Sequence, residues 1–181
     1  MPLKLYLGRD QDRPHLREAH NDGGLILAGT DTQGTIPLVS FESKRRHAGG
    51  VHHYTNLPEA YNANTLAQEV AELLGQALAG YRAEGSKEED QEAYVLTIHG
   101  TQLRLVAGYF TKEYLSYVQS QTLPVEQHLY IRRSRFYELK DPADRLEALK
   151  LIIGLCRYVM SGYAVMEQTK RVAKCLRKYY G

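Results

Sequence analysis

Two apolar runs joined by a turn decide how this chain folds: Asn21-Asp-Gly-Gly-Leu-Ile-Leu-Ala28 and Ile36-Pro-Leu-Val-Ser-Phe-Glu-Ser-Lys44. Each run has the length and apolar content of a β-strand, and Asp31-Thr-Gln-Gly34 between them is typical of a turn. We therefore predict a β-hairpin. Pro37 must then lie at a strand start or on a sheet edge, because proline has no N–H to donate within a sheet.

The second run carries charged side chains at alternate positions. Because alternate residues of a strand point to the same face, Glu42 and Lys44 project together, while Phe41 and Ser43 face the other way. Asp22 begins the partner strand, so hairpin pairing would bring it towards Glu42. Neighbouring carboxylates repel each other unless a cation neutralises them, and Mg²⁺ prefers carboxylate oxygens and retains waters. The stretch therefore predicts a Mg²⁺ or Mn²⁺ site, in which Lys44 orients or deprotonates a water or holds a phosphate.

Other interpretations of this pattern stay open. A second triplet, Glu138-Leu-Lys140, follows a stretch without aspartate back to residue 91 and directly precedes a helix start, so we interpret it as a chance occurrence. Asp31 could replace Asp22, although the turn position of Asp31 favours Asp22. In a plain interaction module, Glu42 and Lys44 would form only a surface ion pair, and Asp22 would lie far from Glu42.

The rest of the chain alternates between strand and helix patterns. We predict further strands at Leu3–Leu7, Ala93–Ile98, Gln102–Val106 and Leu129–Ile131. We predict helices at Pro14–Asn21, Asn64–Ala83, a short segment capped by Thr111, Asp141–Met160 and residues 165–180. This order indicates one α/β (α+β) domain over residues 1–181, with a mixed central β-sheet flanked by helices.

The composition excludes several classes of protein. The 181 residues have a net charge of only +2, so any binding of nucleic acid needs a local basic patch. Cys156 and Cys175 lack the spacing of a disulfide scaffold or a metal site. No signal peptide and no membrane span is evident, so we expect an intracellular protein of the nucleus or cytoplasm with no membrane partner. A homodimer stays open.

Two basic segments could contact the phosphate backbone of a nucleic acid, although both are also compatible with a solvated surface. The first is the loop that follows Lys44. The second is the amphipathic helix over residues 165–180, in which a basic arc lies opposite an apolar stripe. The side chains that we single out are Arg45, Arg46, His47, Lys170 and Lys174.

The hairpin motif, with Asp22 in the first run and Glu42-Ser-Lys44 in the second, resembles the core of the PD-(D/E)XK nuclease superfamily. It also looks like a divergent branch frequent in fungal proteins, in which a glutamine-containing helix, a hairpin and a leucine-rich helix follow. Residues 68–81, 93–105 and 152–158 would correspond to these parts. Asn21 stands where the family motif has proline.

The resemblance implies a restriction-endonuclease-like fold and a set of roles. Asp22 and Glu42 would be metal ligands and Lys44 the catalytic lysine. Gln76 would correspond to a helix glutamine that supports the site, whereas Gln68 would lie on the opposite, solvated side. Glu18 would be an extra acidic ligand, because a helix over 14–21 places it one turn before Asp22.

The resemblance also implies a function. It indicates hydrolysis of phosphodiester bonds with Mg²⁺ or Mn²⁺, and DNA is favoured over RNA as the substrate. Such branches include inactive members, so the alternative is a catalytically inactive domain that binds nucleic acid or a protein partner.

Overall fold

The computed structural model describes residues 2–10, 13–26, 37–44, 63–83, 87–120, 128–167 and 169–170. Within these residues it shows an α+β fold with a mixed, partly parallel central sheet and three helices of defined extent. The strands are β1 (Pro2–Asp10), β2 (Arg13–His20), β3 (Gly23–Leu25), β4 (Val39–Lys44), β5 (Gln91–His99), β6 (Gln102–Phe110), β7 (Ile131–Arg133) and β8 (Tyr137–Glu138). The helices are α1 (Ala63–Tyr81), α2 (Lys112–Val118) and α3 (Pro142–Met160).

The central sheet has the strand order β3-β4-β5-β6-β7, and β8 also pairs with β6. The β4–β5 pair is parallel, and the other pairs of this sheet are antiparallel. A parallel pair needs a long connection from one end of the sheet to the other, and α1 lies within the connection between β4 and β5. The helix therefore covers one face of the strand that carries Glu42.

The predicted hairpin is confirmed by the pairing of β3 with β4. Gly23 lies opposite Phe41, and Leu25 lies opposite Val39. Gly24 is required by close packing, because a Cβ atom there would lie 2.7 Å from the Pro37 Cβ atom. Asp31 and the rest of the hairpin loop lie outside the described residues.

Alternation along the strands divides the core into two layers. The layer between the sheet and α1 contains Leu73, Leu78, Ala93, Val95 and Val106. The layer between the sheet and α3 contains Tyr94, Leu96, Leu103, Leu155 and Val159. Glu42 is the register partner of Thr97, which alternates with Leu96, so Glu42 faces α1.

Several other predicted elements are confirmed. β5 and β6 form the predicted hairpin, and the Thr111 side chain accepts a hydrogen bond from the Tyr114 N–H at the start of α2. Asp141 caps α3, because its Oδ1 accepts from the N–H groups of Ala143 and Asp144 at 2.7 and 3.2 Å. α3 ends at Met160, as the Ser161-Gly162 sequence predicts.

The predicted helix at Pro14–Asn21 is wrong, because residues 13–20 form β2. This strand pairs with β1 in a separate two-stranded antiparallel sheet. So short a helix is marginal in water by itself, whereas β1 offers a full row of backbone hydrogen-bonding partners. The predicted strand at Leu129–Ile131 is shifted, because β7 covers Ile131–Arg133.

Of the predicted C-terminal helix, only residues 165–167 and 169–170 are described, and Glu167, Thr169 and Lys170 are helical. The remaining residues of that helix lie outside the described ranges. No helix in the described part of the chain has both the length and the apolar character needed to cross a membrane.

Candidate active site

Glu42 and Lys44 lie together on the α1-facing side of β4, as their spacing predicts. The Lys44 Nζ atom forms an ion pair with Glu42 Oε1. Only 3% of the Glu42 side chain is exposed, compared with 43% for Lys44. The pair therefore spans the boundary between the interior and solvent, with the carboxylate inside and the ammonium group near the surface.

Gln68 of α1 lies directly over this pair. Its Nε2 atom donates to Glu42 Oε1 at 2.6 Å and approaches Glu72 Oε1 at 3.4 Å. The prediction that Gln68 is solvated is therefore wrong. The apolar stripe of α1 marks the side that packs on apolar strand residues, but β4 presents a polar row to this helix, and Gln68 packs against that row.

Glu72 is the site residue that sequence reasoning missed. It lies one turn after Gln68 on α1 and is fully buried beside Glu42. Burial and the neighbouring Glu42 carboxylate raise the pKa of Glu72 to about 9, so Glu72 is protonated at neutral pH. The available signal was its spacing of four residues from Gln68 and its position next to the buried Leu73.

Asp22 lies beside β4 at the level of Glu42 and Lys44. Its N–H donates to the Phe41 carbonyl oxygen at 2.9 Å. Its carboxylate Oδ2 accepts from the Ser43 N–H at 2.7 Å. Asp22 thus extends the β3–β4 pairing by using its side chain, and this fixes an exposed carboxylate next to the strand that carries the other two predicted site residues.

The carboxyl groups of Glu42 and Glu72 are the kind of oxygen ligand that hard divalent cations prefer. If both were ionised, Oε2 of each would be buried without a hydrogen-bond donor among the described residues. No group of three His, Cys, Asp or Glu side chains in the described ranges is arranged to hold a metal ion. Mg²⁺ typically takes one or two carboxylates in proteins and keeps several waters, so Glu42 and Glu72 offer the number of carboxyl groups that such an ion takes.

Gln76 contacts backbone atoms rather than the carboxyl groups. Its Nε2 donates to the Pro37 carbonyl oxygen at 2.6 Å, and its Oε1 accepts from the Tyr94 N–H at 2.9 Å. Gln76 therefore ties α1 to the residues that lead into β4 and to β5. This arrangement holds α1 against the backbone beside β4, and both hydrogen bonds of Gln76 go to backbone atoms rather than to Glu42.

Glu18 lies on β2 and not on a helix. The reason for proposing it as a ligand, its position one helical turn before Asp22, is therefore absent. Its Oε2 atom lies 3.5 Å from His20 Nε2, and both side chains are largely exposed. The observed contact is a surface pair within the two-stranded sheet.

A second buried charge cluster continues from the site along the same face of the sheet. Thr97 is the register partner of both Glu42 and Arg104, so Arg104 lies two strands away, roughly 10 Å from Glu42 across the sheet. Glu69 of α1 lies between two cations, with Oε1 at 3.7 Å from Arg104 Nη2 and Oε2 at 4.0 Å from Arg133 Nε. This cluster joins α1 to β6 and β7.

The predicted nucleic-acid contacts fall mostly outside the described residues. Arg45, Arg46, His47 and Lys174 all lie there. Lys170 is described, and its ammonium group pairs with the Glu89 carboxylate. Lys170 therefore links the segment after α3 to the residues that precede β5.

The comparisons with known proteins give no relative. No protein-family model matches this chain, and no curated protein and no solved structure is significantly similar to it. The function must therefore be argued from the fold and from the side chains that meet on α1 and β4.

Proposed function

We propose that this protein is a divalent-metal-dependent nuclease that hydrolyses phosphodiester bonds in DNA. The observation that carries the proposal is the meeting of two buried carboxyl groups, Glu42 and Glu72, with a lysine at the solvent boundary. Metal-dependent phosphodiester hydrolysis needs carboxylate ligands and a cationic group that can reach the substrate from the same point.

Each side chain has a role in this proposal. Glu42 and an ionised Glu72 would hold the ion through their Oε2 atoms, which have no hydrogen-bond partner among the described residues, and Asp22 lies nearby at the strand edge, where its carboxylate accepts from the Ser43 N–H. Gln68 donates to Glu42 and approaches Glu72, which fixes how the two groups are turned. An ion held there would supply Lewis-acid stabilisation of the charge that develops on the phosphoryl group.

Lys44 is the residue that reaches towards the substrate. Its partly exposed ammonium group can move from Glu42 to a phosphate oxygen or to the attacking water, because a flexible lysine side chain changes partner at low cost. The basic residues that follow it in sequence, Arg45, Arg46 and His47, would contact the phosphate backbone and position the DNA.

Plasmid cleavage with Mg²⁺ or Mn²⁺ tests the proposal. Glu42→Gln, Glu72→Gln and Lys44→Ala should each lower the cleavage rate by about 100-fold or more. Lys140→Ala is the matched control, because it removes the lysine of the other Glu-x-Lys triplet, and it should cleave at the wild-type rate. Equal cleavage by all the variants, or cleavage that persists in EDTA, would refute the proposal.

An inactive DNA- or protein-binding domain of the same fold is the alternative. The contacts of Glu42 with Lys44 and of Asp22 with the Ser43 N–H favour it, because the polar groups can satisfy one another without a metal. This alternative predicts that the wild-type chain binds short DNA duplexes or a protein ligand but cleaves no DNA with Mg²⁺ or Mn²⁺.

A further inference from the structure

α3 carries two apolar stripes, and one of them packs on the core that the structure describes. The inner stripe contains Ala148, Leu155 and Val159, which are buried against the sheet. The outer stripe, which we name the α3 outer stripe, consists of Leu146, Leu149, Ile153 and Met160, with exposures of 53, 51, 52 and 76%. An ordinary surface helix has a polar outer face, whereas these four apolar side chains of α3 are exposed.

The spacing of the α3 outer stripe is that of a helix–helix seam. Its members lie at intervals of three, four and seven residues, and Cys156 falls at the missing position between Ile153 and Met160. This is the pattern of a and d positions in a heptad repeat. Isolated exposed leucines need no explanation, but a contiguous stripe along a helix marks an interaction surface.

The charges beside the stripe indicate what kind of partner it takes. Arg145 borders one side, while Lys150 and Arg157 border the other. The acidic residues of α3 are Asp144, which pairs with Arg135, and Glu147, which pairs with Lys150; Arg145 and Arg157 pair with neither of them. A second copy of the helix would bring these like charges together along the two borders in either orientation, which is unfavourable.

We propose that the α3 outer stripe docks an amphipathic helix of another protein whose borders are acidic. Leucine-like residues of that helix pack on Leu146, Leu149 and Ile153. Its glutamates or aspartates pair with Arg145 and Arg157 and compete with Glu147 for Lys150. This surface lies on the opposite side of the sheet from Glu42, because α1 and α3 cover opposite faces, so the proposal is independent of the proposed nuclease function.

Fluorescence anisotropy with labelled synthetic peptides tests this proposal on the full chain. One peptide of about four heptads has leucine at a and d and glutamate at e and g, and the second has lysine at e and g. The glutamate peptide should bind, and the lysine peptide should bind at least tenfold more weakly. The double variant Leu149→Gln/Ile153→Gln should bind the glutamate peptide at least tenfold more weakly than wild type.

Two further variants make the test specific. Lys150→Glu/Arg157→Glu should transfer the preference to the lysine peptide, which a general loss of folding cannot do. Tyr130→Gln removes another exposed apolar side chain, outside α3, and should leave binding unchanged. A thermal unfolding midpoint close to that of wild type confirms that each variant is folded.

Four outcomes would overturn the proposal. The first two are binding of neither peptide and equal binding of both. The third is a wild-type dimer in sedimentation that becomes a monomer in Ile153→Gln, which would assign the stripe to a second copy. The fourth is binding of wild type, but not of Leu149→Gln/Ile153→Gln, to phosphatidylserine vesicles, which would assign the stripe to a membrane surface.

Discussion

At the scale of single residues, the chain buries two carboxyl groups side by side on Glu42 and Glu72. Burial of an isolated charge is costly, and a second negative charge at the same point adds to the cost. The protein reduces this cost in two ways. Lys44 forms an ion pair with Glu42 and Gln68 donates a hydrogen bond to it, while the raised pKa of Glu72 keeps that carboxyl group protonated. A divalent cation is a third way, and this is the physical basis for treating the pair as a candidate metal site.

The raised pKa of Glu72 predicts how stability depends on pH in the absence of metal. The folded-state pKa of about 9 lies above the ordinary value of 4.5, so folding retains a proton that the unfolded chain releases. The stabilisation is fully present below pH 4.5 and is lost as the pH rises towards 9. Between these values, the free energy of unfolding should fall by at most about 1.4 kcal/mol per pH unit from this group.

Urea denaturation in EDTA at several pH values measures this effect. Glu72→Gln keeps a neutral side chain at every pH, so its free energy of unfolding should depend less on pH than that of wild type. Glu147→Gln, an exposed change on α3, should show the wild-type dependence. An identical pH dependence in wild type and Glu72→Gln would contradict the assignment.

At the scale of elements, α1 places the site because it presents one polar row to β4 and a longer apolar stripe to β5 and β6. Gln68 and Glu72 form the polar row above Glu42. Gln76, one turn further along, holds the backbone at Pro37 and Tyr94. The same face of the helix thus contains both the polar groups of the candidate site, Gln68 and Glu72, and the residue that holds the helix at a fixed distance from the strand, Gln76.

Replacement of Gln76 should therefore destabilise the protein. Gln76→Leu leaves the Pro37 carbonyl and the Tyr94 N–H buried without their partner, which costs about 1–3 kcal/mol for each group. The Gln68 amide contacts only side chains among the described residues. Gln68→Leu should therefore lower the free energy of unfolding by less. Urea denaturation of both variants decides the point, and a smaller loss for Gln76→Leu than for Gln68→Leu would reject this role.

At the scale of the whole molecule, charged side chains connect α1 to the sheet on the side away from β3. Glu69 lies between Arg104 of β6 and Arg133 of β7, and Arg104 also stacks over the Phe136 ring at 4.4 Å from its centroid. A buried ion pair is weak evidence for net stability, but removal of one partner is costly. The cluster therefore fixes where α1 sits on the sheet, and so where Glu72 meets Glu42.

A double-mutant cycle tests this coupling. Arg104→Leu should lower the free energy of unfolding by about 3–5 kcal/mol, because it removes one of the cations that neutralise the buried Glu69 carboxylate. The double variant Arg104→Leu/Glu69→Leu should lose less than the sum of the two single changes. Additive losses in urea denaturation would show that the two side chains do not act as a pair.

The sequence by itself determined the local elements of this protein. Apolar runs separated by turn residues predicted β4 and the β5–β6 hairpin, the three-and-four spacing predicted α1, and Asp141-Pro142 predicted the start of α3. Alternation along the strand placed Glu42 and Lys44 on one face, because a strand fixes the direction of its own side chains.

Only the tertiary structure decided what covers each face. The helix predicted for residues 14–21 became β2 because β1 supplied a partner strand, and this removed the reason for Glu18 as a ligand. Gln68 and Glu72 joined the site, and Gln76 bound backbone instead, because the contacts of a helix depend on which strand row it crosses. Periodicity encodes which side chains share a face, whereas the packing of one element on another sets which atoms meet.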